Sequence, residues 1–268
     1  MRLTKHNGLG NDFLVHLTNE SLPRPDDEQW VRRAVDLCHR RRGIGADGLI
    51  VATLRTEGAE AAMALFNSDG SSAEISGNGI RCLAQAIAAA RAATTATYRI
   101  ATTAGVREVA IAPGPDRHTA EVSVDMGAVA DIEAPAGWAT VGGNEHRPVA
   151  HLSLGNPHTV VGVEDLAAVD LAAFGALVPD VNLEIVTAGG SHHEIVMRVH
   201  ERGAGITEAC GTGACAAAVA AFRWGLAAPK DGEIIVTMDG GSARVRIGKD
   251  TVTLIGPATF VATIEVPA

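Results

Sequence analysis

Glu208-Ala209-Cys210-Gly211-Thr212-Gly213-Ala214-Cys215, running on through Ala216 to Trp224, is the stretch from which the rest of the chain can be read. A cysteine sits at a Gly-x-Gly turn, and an Ala-rich run of high helix propensity follows at once. The spacing predicts the Cys210 sulfur at or beside a helix N-terminus. Unpaired N–H groups and the positive end of the helix dipole there favour a thiolate and can also hold a carboxylate. The ordinary alternative is a small buried thiol in a glycine turn.

A second copy of the turn weighs against that alternative. Ile75-Ser76-Gly77-Asn78-Gly79-Ile80-Arg81-Cys82 again opens an Ala-rich helix, which runs to about Arg91. With Ser76 set on Cys210, Gly77 falls on Gly211, Asn78 on Thr212 and Gly79 on Gly213, while Glu74 falls on Glu208 and Asn67 on Glu201. Leu9-Gly10-Asn11 is echoed by Leu154-Gly155-Asn156. Two copies so far apart are too few for a solenoid and read as two similar halves. Two facing helix N-termini, each with a protic side chain, would flank one small ligand.

At 268 residues and 47% apolar, the chain has room for one large or two medium domains with ordinary cores. The net charge of −9, with no run of Lys or Arg, disfavours nucleic acid and an anionic membrane surface as partners. The chain shows neither an apolar run long enough to span a bilayer nor a signal-peptide pattern at Met1-Arg2-Leu3-Thr4-Lys5. Cys38, Cys82, Cys210 and Cys215 have no Cys-x-x-Cys spacing, so a reducing cytoplasm fits better than a disulfide scaffold or a structural zinc.

Strands are expected at Leu3–Lys5, Phe13–Leu17, Leu49–Leu54, Ala61–Asn67, Tyr98–Thr102, Arg107–Ala112 and Thr119–Asp125, with a helix over Asp26–Arg40. The turn Ala112-Pro113-Gly114-Pro115-Asp116 is the expected switch into the second half. Strands follow near His151–Leu154, Thr159–Val163, Asn182–Thr187 and His193–Val199, with a weak helix near Leu166–Leu177. Beyond the second Ala-rich helix come Glu233–Met238, Ser242–Ile247, Thr251–Gly256 and a separate strand-like segment, Ala258–Val266. Many short strands with one long helix per half is an α+β pattern rather than a βαβ alternation.

Asn67-Ser68-Asp69-Gly70 and Glu201-Arg202-Gly203 lie equally far upstream of Ser76 and Cys210. Helix ends for a carboxylate, with Asn and Glu oxygens for an ammonium, suit a zwitterion. Singly, Asn11, Asn67 and Asn156 are ordinary turn residues; as a symmetric set they point to a ligand. His158 could assist a base or orient a ligand. His192-His193 lacks a third metal ligand at a usual spacing, and three lysines outside any pocket motif leave no obvious pyridoxal phosphate anchor. No metal and no cofactor is expected.

The ordered set Leu9–Phe13, Gly43–Gly48, Phe66–Ser71, Gly77–Cys82, Gly155–His158 and Glu201-Arg202-Gly203 through Ala209–Gly213 resembles the diaminopimelate epimerase family over nearly the whole chain. The resemblance implies two pseudo-symmetric halves, each a curled, mostly antiparallel sheet around a central helix, with the active site in the cleft between them. The halves would be 1–115 with 258–268, and 116–257. It also implies a cofactor-independent inversion of an amino-acid Cα, LL- to meso-diaminopimelate, in lysine biosynthesis. A small zwitterionic substrate is then the expected partner, in the cytoplasm, and a homodimer is compatible with the reading. By motif, Cys210 is one of two catalytic cysteines acting on opposite faces of Cα. Asn11, Asn67, Gly77, Asn78, Asn156, Asn182, Glu201, Arg202, Gly211 and Thr212 would bind the substrate, with His158 assisting.

The departure is Ser76, where the family has its second cysteine. A serine hydroxyl is far less acidic than a thiol and is a poor unaided base for a Cα–H. Three readings of Ser76 compete. It is an engineered exchange silencing an epimerase framework, or part of a natural Ser/Cys pair acting as an epimerase or dehydratase of another amino acid. Otherwise the chain is an inactive amino-acid-binding homologue.

Overall fold

The computed structural model describes residues 1–140 and 147–267. The chain forms two compact units, Met1–Asp125 with Gly256–Ala268, and Met126–Ile255. Both are rich in strand, and each holds one long buried helix.

In the first unit, β1 (Arg2–Gly8) and β2 (Asn11–Thr18) form a hairpin, followed by α1 (Glu28–Cys38), β3 (Gly48–Thr56), β4 (Ala59–Asn67) and the short β5 (Ser72–Ala73). The helix α2 (Gly77–Ala90) comes next, then β6 (Ala96–Thr102), β7 (Gly105–Pro113) and β8 (Thr119–Gly127). Asp27 caps α1 by accepting from the Gln29 and Trp30 amides at 3.1 and 3.4 Å. The helix packs on β3 and β4 over a core of Leu3, Leu14, Ala34, Cys38, Leu49, Val51 and Phe66. Gly43 just beyond it is required by space, since a Cβ would lie 2.1 Å from the Asp36 carbonyl oxygen. Every residue of α2 from Gly77 to Ala88 is buried, and its small side chains let it lie close against β1, β2, β3 and β7.

The second unit runs β9 (Ala130–Asp131), β10 (Val149–Ser153), β11 (Pro157–Gly162), α3 (Leu171–Ala176), β12 (Asn182–Ala188), β13 (Glu194–Glu201) and β14 (Gly205–Thr207). Then follow α4 (Gly211–Arg223), β15 (Glu233–Met238), β16 (Gly241–Ile247) and β17 (Val252–Glu265), whose residues from Gly256 onward belong to the first unit. The helix α4 is buried from Gly211 to Ala221 and packs on β10 to β13, β15 and β16.

Two expectations differ from what the structure shows. The Ala112–Asp116 turn is not a switch between units; it joins β7 to β8, which pair with Pro113 opposite Ala120. The Asp116 side chain accepts from the His118 and Thr119 amides at 2.7 and 2.9 Å and closes that hairpin. At the other end, Gly256-Pro257 does not divide two strands. β17 is continuous through it, and Gly256 leaves room for the Arg81 guanidinium, whose Nε donates to the Pro257 carbonyl at 3.2 Å.

The units repeat one pairing scheme. β2 and β3 run parallel with Phe13 opposite Gly48, β3 and β4 antiparallel, and Leu65 of β4 lies opposite Ala73. β11 and β12 run parallel with His158 opposite Asn182, β12 and β13 antiparallel, and Val199 of β13 lies opposite Thr207.

Candidate active site

Each long helix begins at one of the two glycine turns found in the sequence. Ser76 is the N-cap of α2, with its Oγ accepting from the Gly79 amide at 3.0 Å. Around it the structure gathers three of the expected residues. Asn78, 2% exposed, donates through Nδ2 to Asn11 Oδ1 at 3.3 Å, and Asn11 Nδ2 donates to Asp47 at 2.8 Å. Gly77 opens the helix and accepts from Arg81 Nη1 at 3.2 Å. Asn67, at the end of β4, donates through Nδ2 to the Ser71 hydroxyl at 3.0 Å.

Asn11 is fixed from behind by a charged cluster that the sequence reading did not assign. Arg40 bonds Asp12 at 2.8 Å and Asp47 at 2.7 Å, and Lys5 bonds Asp12 at 2.7 Å. Burial alone would raise the Asp12 carboxyl, but the bonds from Arg40 and Lys5 outweigh it and hold the group below its ordinary range. Asp12 and Asp47 were visible as the acids beside Asn11 and in the Gly43–Gly48 loop. Their partners were not, because Lys5 and Arg40 carry no local motif.

Cys210 is the N-cap of α4 and is 4% exposed. Its Sγ accepts from the Gly213 amide at 3.3 Å and lies 3.4 Å from the Thr212 hydroxyl. The Glu201 carboxylate bonds both the Cys210 thiol and the Thr207 hydroxyl. Burial pushes Glu201 above the ordinary carboxylate range, against the pull of those two bonds. Cys210 is likewise pushed well above a free thiol, first by burial and then by the charges of Glu201 and Glu184. Thr212 and Gly213 only partly oppose this. The pull of the helix end toward a thiolate is present in the Gly213 amide, but burial and the charges of Glu201 and Glu184 outweigh it, and the thiol lies in bonding reach of the Glu201 carboxylate.

His158, fully buried, bonds Glu184 through Nδ1 at 2.7 Å and Asn156 Oδ1 through Nε2 at 3.1 Å. Asn156 Nδ2 donates to the Thr212 hydroxyl at 3.2 Å. Asn182 Nδ2 donates to the Pro157 carbonyl at 3.3 Å, and its Oδ1 accepts from the Arg202 amide at 2.9 Å, leaving the Arg202 side chain exposed. Thus Asn156, His158, Glu201, Thr212 and Cys210 form one bonded group, Gly211 stands between the last two in sequence, and Asn182 and Arg202 sit at its edge. Glu184 was missed. Its signal is a lone carboxylate in the apolar run Val181-Asn182-Leu183-Glu184-Ile185-Val186, on a strand buried from Asn182 to Val186.

Cys82 is no substitute for a thiol at position 76, being fully buried and pushed up to about 12 by that burial.

Solved structures share this fold. A phenazine biosynthesis protein of the PhzF family from Bacillus anthracis has a TM-score of 0.76 at 17% identity, covering 100% of this chain and 99% of that one. A hydroxyproline epimerase from Agrobacterium vitis, solved with bound trans-4-hydroxy-L-proline, has a TM-score of 0.69 at 15% identity, covering 99% and 90%. The relatives of the chain in sequence define it as an isomerase. Within that class the chain belongs to the diaminopimelate epimerase family, whose model matches residues 3–132 and 151–261. A diaminopimelate epimerase from Synechococcus elongatus is 38% identical over 282 residues, spanning 97% of this chain and 96% of the relative. One from Cyanothece sp. is 39% identical over 283 residues, spanning 96% of each.

Proposed function

We propose that the chain inverts an amino-acid Cα without a cofactor, converting LL-diaminopimelate to meso-diaminopimelate, with Cys210 and Ser76 as its two proton-handling groups. The observation that carries this reading is the Cys210 cap, a buried thiol in bonding reach of a carboxylate while its sulfur meets the Gly213 amide. Glu201 takes the thiol proton, and the thiolate removes the Cα hydrogen on one face. The Ser76 hydroxyl returns a proton to the other face, and the alkoxide so formed takes a proton from water while Glu201 releases its own to water, restoring both groups for the next turnover. The amides opening α2 and α4, at Gly77-Asn78 and Gly211-Thr212, hold the substrate carboxylate and take up charge developing beside Cα. Asn11, Asn67, Asn156, Asn182 and Arg202 bind the remaining polar groups, and His158 assists.

We read the two units as versions of one design, each a curled sheet on its own helix. The repeated strand register and the buried α2 and α4 support that reading.

One observation favours a second reading. Ser76 Oγ accepts from the Gly79 amide, and no described carboxylate or imidazole of its own unit bonds it. A hydroxyl without a base gives a proton more readily than it takes one from carbon. That asymmetry suits a Ser/Cys pair working on another amino acid, or a chain that binds without turnover.

The test is Cα proton exchange in D2O by NMR, for LL- and meso-diaminopimelate and a panel of small amino acids, with the chain beside Ser76→Cys. Exchange and inversion of diaminopimelate by the chain establishes the proposal. Exchange by Ser76→Cys alone marks a disabled epimerase framework. Exchange of another amino acid names the second reading's substrate, and none from either protein overturns epimerase function.

A further inference from the structure

We propose that Glu184 is a positioning residue for Cys210, setting the direction of a hydrogen-bond chain that ends with a donor on the sulfur. The proposal rests on the reading of Cys210 as the acid–base thiol. The chain has four links: Glu184 Oε1 to His158 Nδ1 at 2.7 Å, His158 Nε2 to Asn156 Oδ1 at 3.1 Å, Asn156 Nδ2 to Thr212 Oγ1 at 3.2 Å, and Thr212 Oγ1 to Cys210 Sγ at 3.4 Å.

Donor and acceptor roles along it follow from chemistry. A carboxylate only accepts, so His158 Nδ1 carries a hydrogen; an amide oxygen only accepts, so Nε2 carries one as well. Glu184 and His158 together therefore hold one proton more than a carboxylate with a neutral imidazole. Asn156 then has its NH2 directed at Thr212, and the Thr212 hydroxyl hydrogen is left for the sulfur. As Glu201 draws the thiol proton away, the growing charge on Cys210 meets two donors already in place, Thr212 O–H and Gly213 N–H. With the Asn156 amide reversed, Nδ1 still donates to Glu184 but every role from Nε2 onward reverses: a bare Nε2 accepts from the Asn156 NH2, and Thr212 turns its lone pair to the sulfur instead of its hydrogen.

Three further observations set Glu184 apart from ordinary core. Its Oε2 is buried and takes no hydrogen bond among the described residues, a costly state for a carboxylate. A Cβ on Gly213 would lie 2.5 Å from Glu184 Oε1, so the glycine at the start of α4 gives the carboxylate its room. The offset that sets Ser76 on Cys210 sets Ile50 on Glu184, and the strand register sets Phe13 on His158. In the first unit these places are filled by buried hydrocarbon, and Ile50 Cδ1 lies 3.2 Å from the Cβ position of Gly79. The architecture therefore does not need an acid and an imidazole there.

The experiment pairs histidine 15N NMR with kinetics on the chain, Glu184→Gln and Glu184→Ile, the last copying the first unit. Where the chain itself does not turn over, the kinetics use the Ser76→Cys background. The expected spectrum shows a hydrogen on His158 Nε2 as well as on Nδ1, both hydrogen-bonded. Glu184→Gln, whose side-chain amide can donate or accept, is expected to lose that single state. Both variants are expected to lower kcat by about 10- to 100-fold with KM changed by less than about 3-fold. A bare Nε2 in the unmodified chain, a loss confined to KM, or unchanged kinetics in both variants overturns the proposal. If neither background exchanges Cα hydrogen, the epimerase reading fails, while the NMR still decides the direction of the chain.

Discussion

The caps of α2 and α4 are nearly the same piece of backbone in opposite electrostatic settings. Ser76 has φ −128° and ψ 123°, Cys210 has φ −125° and ψ 116°, and each side chain accepts from the amide three residues on. At the places that match Glu184 and His158 the first unit holds Ile50 and Phe13, and the matching helix position further on holds the buried cation Arg81. In the second unit, with Glu184 and His158 in place, the matching helix position holds Cys215. The lesson is that one frame of strand register and glycine turn carries either hydrocarbon and a guanidinium or a chain of titratable groups. The frame fixes where the caps sit; the side chains behind them decide what each cap can do to a proton.

The comparison breaks most decisively if the two settings can be exchanged freely. Ile50→Glu places a carboxylate where no imidazole waits. It is expected to destabilise the first unit by about 5 kcal/mol, an effect reserved for an unpaired buried charge. Glu184→Ile combined with His158→Phe rebuilds the first unit's pattern in the second. It is expected to leave stability unchanged or raised by about 1–3 kcal/mol, because apolar replacement of a whole buried pair removes its desolvation cost. Urea unfolding of both proteins reads the contrast. A double variant that unfolds would make the pair structural and end the argument from Ile50 and Phe13.

Arg81 sharpens the comparison from the other side. Its guanidinium bonds the Gly77 carbonyl, the Asn78 side chain and the Pro257 carbonyl, so it ties the start of α2 to β17. Arg81→Met is expected to cost about 4 kcal/mol by leaving buried acceptors unpaired. Cys215→Ala at the matching position removes one sulfur and is expected to cost about 1 kcal/mol. Equal losses in the two melts would show that the settings differ in name only.

Much of this was legible in the sequence. The duplicated Gly-x-Gly turns located both caps, and the Ala runs located both long helices, because small side chains and a capping residue are local signals. Local punctuation misled at two strand junctions. Pro113 and Pro115 look like punctuation, yet Asp116 turns them into a hairpin whose register depends on β8. Gly256-Pro257 looks like a break, yet it stays in one strand because Arg81, far off in sequence, uses the room and the carbonyl there. Of the candidate site, the residues within the turns and loops carry local signals, while Glu184, Lys5 and Arg40 carry no local motif. Their roles arise only when strands distant in sequence bring them beside a partner, and no local spacing encodes that.

The smallest expected difference between the units is their response to acid. His6 is fully buried on β1, donating through Nδ1 to Gln85 Oε1 at 2.7 Å and accepting at Nε2 from the Thr4 hydroxyl at 2.9 Å. Burial lowers its pKa from 6.5 to about 4, against the pull of the Gln85 bond. Folding therefore prefers the neutral ring. The preference is fully present above pH 6.5 and is lost as pH falls through about 4, where the folded ring takes its proton. The loss over that window is about 3 kcal/mol by the usual conversion of a pKa shift. In the second unit His151 is lowered by burial too, but it is only partly buried and has less to lose. Hydrogen-exchange protection factors of β1 and β2 amides, corrected for the intrinsic pH dependence of exchange, should fall from pH 6.5 to 4 more than those of β11 and β12. His6→Gln should remove the excess. An equal acid response in both units, or one that survives His6→Gln, would place the acid sensitivity somewhere other than the buried imidazole.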